Sequence, residues 1–273
     1  MLPFAMTKTL VCALNELQAN SSVDPLYLTN STLNYKYNVE QELIPTAHPK
    51  IAYFGIGTRG YRNLDDQNLA APYIPSAKNL DLYTPIPIRI VPVDNDLSPV
   101  ERSNYRMRVL TVVDGLEYWA YYLKKLVIIN NQVRIIQTDL TSGVESDLSE
   151  LNVSDLTPTP TTTSAEGTVT STSRISVALS ASINISGSEV LEAVNVLHNG
   201  NLLKANVSEI GIYSGHEHEM AMSDGMGGFF NGIESIYTQL AYHYTWASGT
   251  NFSAPSHEET RLLRISSANA FLI

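Results

Sequence analysis

The four residues His216-Glu217-His218-Glu219 are the ones whose types and spacing could most readily do chemistry. On a strand, imidazoles two residues apart share a face and could grip a transition metal, with Glu219 or the distant His257-Glu258 completing the set. That arrangement would serve a metal-dependent hydrolase. Two features argue against it. The H-E-x-x-H spacing fails because Met stands at 220, and the flanking residues, His216 to Gly232, are rich in Gly and Met and read as a mobile loop. Structural or interface histidines are the favoured reading. His216, His218 and His257 are the metal candidates, and no metal, cofactor or catalytic residue is expected.

Other reactive-looking stretches have plainer accounts. Gly55-Ile56-Gly57-Thr58-Arg59-Gly60 matches G-x-G-x-x-G after the strand-like Ile51–Phe54. A dinucleotide site needs a helix next, to set its N-terminus on the pyrophosphate. Tyr61 to Asp66, then Pro72 and Pro75, carry no helical stripe, so a glycine-rich turn is expected. Asp94-Asn95-Asp96 begins like a calcium loop but has Pro99 where the loop needs Gly. The serine of Gly211-Ile212-Tyr213-Ser214-Gly215 sits one place late for a nucleophile elbow. Cys12, the single cysteine, excludes an internal disulfide framework and pairs with no histidine in a recognisable way. Tyr237, Tyr242, Tyr244 and Trp246 could make a carbohydrate or receptor platform, but core and interface suit them better.

The elements that must position these residues are mostly extended. Residues 7–19 carry Leu10, Leu14 and Leu17 at helical spacing, and residues 1–24 are expected to form an arm that docks on another subunit. From Leu33 to Pro99 prolines interrupt the chain at 45, 49, 72, 75, 85, 87, 92 and 99, which favours edge strands and ordered loops. Tyr105–Val113, the turn Asp114-Gly115 and Leu116–Leu123 make a hairpin, and Val127–Ile129 with Val133–Thr138 a second one. Thr157 to Thr163 is almost without apolar residues and is read as linker. Beyond it, Ile175, Val177, Leu179, Ala181, Ile183 and Ile185 alternate with Ser and Asn as in a half-buried strand. Ser188 then caps a helix through Leu197 that stops at Asn199-Gly200. Ile210 and Ile212 restart an extended run. Ile233, Ile236, Tyr237, Leu240, Ala241 and Tyr244 predict an amphipathic helix, and Arg261–Ile265 a last strand. The expectation is an α+β protein, mainly β, with antiparallel sheets and two or three helices. Its parts are an arm at 1–24, a β-rich domain at 25–145, a linker or exposed loop at 146–173 and an α+β domain at 174–273.

Composition narrows the partners. Residues 1–140 hold 13 Lys+Arg and 13 Asp+Glu, whereas 141–273 hold 4 and 14, so the net charge of −10 lies wholly in the second part (4 − 14 = −10). An acidic surface repels phosphate, and the neutral first part lacks a basic stripe, so no sequence-specific nucleic-acid binding is expected. The apolar run Thr9–Leu14 is too short to span a membrane. A charged fraction of 16% is low, with Ser, Thr and Asn in its place, which suits strands and subunit contacts.

Ser208-Glu209-Ile210-Gly211-Ile212-Tyr213-Ser214-Gly215, preceded by Ser188-Glu189-Val190-Leu191-Glu192-Ala193 and followed by Tyr237-Thr238-Gln239-Leu240-Ala241, resembles segments of virion structural proteins of tailed bacteriophages over residues 175–246. The resemblance implies a non-enzymatic protein made in the host cytoplasm and built into the virion. It implies a homo-oligomeric ring at the neck, as collar or head-tail connector, or in the tail, beside other neck and tail proteins.

Overall fold

A computed structural model describes residues 4–19, 32–39, 48–64, 69–139, 142–148 and 173–266. In chain order these form β1 (Phe4–Lys8), α1 (Leu10–Ala19), α2 (Leu33–Tyr37), β2 (Lys50–Gly57), β3 (Tyr61–Leu64), β4 (Leu69–Pro72), β5 (Pro85–Ile86), β6 (Arg89–Pro92), α3 (Pro99–Arg102), β7 (Tyr105–Val113) and β8 (Leu116–Lys125). There follow β9 (Val127–Asp139), β10 (Glu145–Leu148), β11 (Ser173–Ser186), α4 (Gly187–Leu197), β12 (Asn206–Ser223), β13 (Phe229–Asn251) and β14 (Glu258–Ser266). The fold is α+β, mainly β, and its strands pair antiparallel. Packing divides the chain into two compact units, Met1–Leu126 with Ile185–Glu259, and Val127–Asn184 with Thr260–Ile273. Most of the expected linker, residues 149–172, lies outside the described residues, as do 20–24 of the expected arm.

The first unit is built on an eight-stranded sheet in the order β1-β13-β12-β2-β8-β6, with β5 added to β2 and β7 to β8. Its spine is the β12–β13 hairpin, strands of 18 and 23 residues. Leu33, Tyr53, Leu82, Met107, Leu123, Tyr213 and Leu240 pack together as one core of this unit. Asp81 stands beside that core and accepts the hydroxyls of Tyr213 at 2.9 Å and Tyr37 at 3.1 Å, with Lys36 pairing from outside. The second unit is a four-stranded sheet, β10-β9-β11-β14. An ion pair, Arg264 to Glu145 at 2.5 Å, spans its two edge strands.

The hairpin β7–β8 forms where turn chemistry places it. Asp114 and Gly115 have φ of +50° and +80°, the pair of left-handed residues that a two-residue turn between twisted strands requires. Helix α4 also stands where expected, stopping at Leu197 before Asn199 and Gly200, both with positive φ. Its cap is Ser186 rather than Ser188, closed reciprocally by Glu189 in a capping box.

Four expectations are corrected. Residues 233–244 are not a helix but the middle of β13. The stripe misled because this strand is buried on both faces from Glu234 to Ala241, which erases a period of two. Its β-branched and aromatic residues favour a strand, and the supposed solvent face is polar groups with buried partners. Thr238 N–H, for example, donates to Asn34 Oδ1 at 2.8 Å and Thr245 Oγ1 to Tyr73 O at 2.5 Å. Likewise His216 to Gly232 is no loop: it is the outer half of β12, a turn after Ser223, and the start of β13. Residues 127–138 make no hairpin of their own, because β9 runs as one strand along β11. Finally, residues 4–19, expected within a docking arm, pack on their own chain: β1 pairs with β13 from Phe4↔Trp246 to Lys8↔Tyr242. Thr9, 1% exposed, donates its hydroxyl to Leu240 O at 2.5 Å. The alternation in β11 holds with one change of face. A register shift between Leu179 and Ala181 leaves Ala178 buried and Val177 exposed before it, and Ala181, Ile183 and Ile185 buried after it.

The lopsided charge is matched inside the first unit. Glu189 accepts from Lys124 at 2.7 Å and from Tyr105 at 2.6 Å, Glu192 pairs with Arg89 at 2.7 Å, and Glu217 takes Arg106 at 2.5 Å and Lys125 at 2.8 Å. Each acid comes from the second part of the chain and each cation from the first.

The deepest of these acids is Glu209, fully buried on β12. Its Oε1 accepts the N–H of Thr84 at 2.8 Å and of Arg59 at 3.2 Å, and its Oε2 that of Tyr83 at 2.9 Å and His243 Nε2 at 2.9 Å. Asn79 Nδ2 donates to His243 Nδ1 at 3.1 Å, which leaves the imidazole proton on Nε2, facing the carboxylate. This clamp explains the glycines. A Cβ at Gly57 would meet Glu209 Oε1 at 2.5 Å, and one at Gly60 would meet Ser208 O at 1.8 Å. The expected glycine-rich turn wraps a buried carboxylate of the same chain.

Burial pushes the Glu209 carboxyl up, but the bonds from His243, Thr84 and Tyr83 outweigh it and hold it below the usual carboxylate range. A depressed folded value contributes stability that is present above the unfolded value and lost as pH falls through the folded one. Glu209→Gln, which turns one acceptor into a donor facing donors, should cost about 3 kcal/mol at neutral pH. Urea unfolding across pH checks this, and the variant should lose less stability than the wild type on acidification below the ordinary carboxylate range.

Candidate functional site

At the far end of β12–β13 from Glu209 the sheet opens into a cleft of about 370 Å³. Met220 and Met222 of β12, Phe229 and Glu234 of β13, Arg108 to Leu110 of β7 and Trp119 of β8 line it, with Tyr37 to Val39 closing one side. The strands fix which side chains enter. On β12 the even residues 216 to 222 are half-buried, while Glu217, Glu219 and Ala221 are exposed, Ala221 at the rim of the cleft.

A stack of rings and guanidinium groups holds the cleft. Arg108 lies 3.4 Å over the Trp119 ring and 5.3 Å from Phe230, whose ring carries Arg102 at 3.9 Å. Asp96 binds both cations, Arg108 at 2.8 Å and Arg102 at 3.1 Å, and accepts the Tyr121 hydroxyl at 2.5 Å. Arg108 also donates to Ser223 O at 2.8 Å, tying β7 to the end of β12. Across from it Glu234, 1% exposed, accepts the N–H groups of Met107 at 2.7 Å, Arg108 at 3.0 Å and Ser235 at 2.7 Å. The first two converge because Met107 has φ +60°, which breaks the β7 ladder and turns successive amides to one carboxylate. Burial still pushes the Glu234 carboxyl above its usual range, against those bonds and nearby Arg106. Every charged group at the cleft is thus engaged by the protein itself. What the site presents is apolar surface: Leu110, Val112 and Leu116 of β7–β8 and Met226, Phe229 and Ile233 of β12–β13 are 47–76% exposed.

His216 and His218 do share one face of β12, opposite Ile236 and Glu234. Burial, then Lys50 and His48, hold the His216 imidazole below its ordinary value. His257 stands elsewhere, its ring 4.7 Å from Phe252. Among the described residues no group of three or more His, Cys, Asp or Glu is placed to hold a metal. Asp96 of the calcium-like triplet is spent on Arg102, Arg108 and Tyr121. Ser214 is buried in β12, and Cys12 is part-buried beside Tyr242. Tyr237 and Trp246, read from the sequence as core or interface rather than a platform, are 4% and 8% exposed.

Sequence reasoning missed Arg108, Phe230 and Glu234 as a set. The first signalled only as a cation alternating along a strand, and the last was hidden in the supposed helix. Arg108→Ala removes the stacked cation, both side-chain bonds and one neighbour of Asp96, and should cost about 3–5 kcal/mol. Amide hydrogen exchange should rise first in residues 219–233, and Trp119 emission should shift to the red.

No curated protein and no solved structure matches the chain. A family model described as "Family of unknown function (DUF7208)" matches residues 4–256, which takes in both ends of the β12–β13 hairpin, the cleft and the Glu209 clamp. The chain belongs to that family.

Proposed function

We propose that the chain is a structural protein that works as a homo-oligomer in an assembled particle, and that the particle is the virion of a tailed phage, at its neck or tail. The observation that carries the self-assembling part is the exposed apolar surface on two hairpin tips that stand beside one cleft. Phe229 is 76% exposed, Met226 74%, Val112 62% and Leu116 61%. Large apolar side chains grouped in this way mark interaction surfaces. The virion part is supported by the resemblance of the segments at 188–193, 208–215 and 237–241 to phage structural proteins. The charge-poor composition and the internal pairing of the acids leave a surface suited to protein contacts rather than to nucleic acid.

No helix among the described residues is long and apolar enough to cross a membrane. Light scattering of the full chain tests the proposal. The expected mass is a multiple of 30.0 kDa, and a particle of one chain at every concentration would overturn it.

A further inference from the structure

The two ends of the first unit differ in charge. At the base of the long hairpin, the loops at 58–62 and 73–83 are drawn onto β12 and β13. Gly60 N–H donates to Ser208 Oγ, Tyr83 N–H to Glu209, and Asn79 to His243. The short turn Leu202–Lys204 leads directly into β12 at the same end. Arg59, Arg62, Lys78 and Lys204 are exposed here, and none is ion-paired among the described residues. Around them stand Ile74 at 83% exposure, Leu203 at 85% and Leu80 at 45%.

At the other end of β12, ten to fourteen residues from Glu209 and roughly 30–45 Å along the strand, the hairpin tips carry the opposite sign. Asp114 and Glu117 lie at the β7–β8 turn and Glu219 on the outer face of β12, all exposed and without an ion-pair partner among the described residues. Asp94 is exposed one residue after Val93, whose side chain faces Gly225 of the β12–β13 turn. The cations at this end, Arg102 and Arg108, are consumed by Asp96. Among the described exposed charges the tip is acidic; the base carries four cations against one acid, Glu258, which follows the His257 that packs on Phe252.

We propose that the tip of one copy docks on the base of another, giving a head-to-tail contact between identical chains. This rests on the proposed self-assembling function and names its surfaces. Tip against tip sets acid beside acid, and base against base sets cation beside cation. Only tip against base pairs opposite charges around two apolar centres. Where each copy meets one neighbour by its tip and another by its base, the contact is heterologous. It propagates to a ring where the rotation closes and to a filament where it does not.

The test is sedimentation velocity on the full chain and on three exposed-residue variants: Arg59→Glu with Arg62→Glu at the base, Glu117→Lys with Glu219→Lys at the tip, and all four together. Each pair should weaken self-association roughly tenfold. The fourfold variant, with both signs exchanged, should regain it, and a mixture of the two pairs should co-assemble. The wild-type contact should weaken from about 0.05 M to about 0.5 M salt. Assemblies indifferent to both pairs, or a fourfold variant that stays dissociated, would overturn the head-to-tail contact and leave the proposed function standing. A wild-type chain that stays monomeric would overturn both.

Discussion

A carboxylate with no exposure to water must have its acceptor positions filled, and Glu209 meets that demand by drawing in pieces of chain that share no local sequence. The amides of Arg59, Tyr83 and Thr84 and the imidazole of His243 come to it from two loops and a neighbouring strand. The loops could not approach this closely with side chains at Gly57 and Gly60. Glu234 repeats the device near the other end of the hairpin, where it holds the irregularity at Met107. The long β12–β13 ribbon is thus pinned near both ends by buried acids, and its outer faces are left for other work.

Much of this was legible in the residues. Asp114-Gly115 specified a hairpin through the left-handed backbone it allows, and the alternation around Ile183 specified β11. Asn199-Gly200 marked the end of α4, while its start was read two residues late, at Ser188 rather than Ser186. Those signals are local, so they survive without tertiary context. The misreadings fall where tertiary context decides. β13 is buried on both faces and hides its period of two, while Glu234, Gln239 and His243 are polar because their partners, on β7, on α1, and on β12 with Asn79, are distant in sequence. The Gly55 to Gly60 turn could be told from a nucleotide loop by the absence of a following helix. What it wraps could not be read, since Glu209 lies some 150 positions on.

The charge pattern has the same moral. Residues 141–273 carry ten surplus negative charges, and three of their acids, Glu189, Glu192 and Glu217, are met by Arg89, Arg106, Lys124 and Lys125 of the same unit. Apart from those pairs, Arg59, Arg62, Lys78 and Lys204 stand exposed at the base of the hairpin and Asp94, Asp114, Glu117 and Glu219 toward its tip. Exposed ion pairs contribute little to stability singly, so the value of such a pattern lies in register and orientation. A protein whose chemistry is spent on its own scaffold, and whose ends are complementary, is suited to making copies of one contact.

Zero-length coupling of carboxylates to amines, on an equal mixture of nitrogen-15 and natural-abundance chains, tests the central claim most directly. The account predicts mixed-isotope links from Glu117 or Glu219 of one copy to Lys78 or Lys204 of another, since Glu219 stands eight strand residues, roughly 25 Å, beyond the level of Lys78 and farther from Lys204 within a chain. Links confined to single copies, or mixed links that never join those two ends, would contradict it.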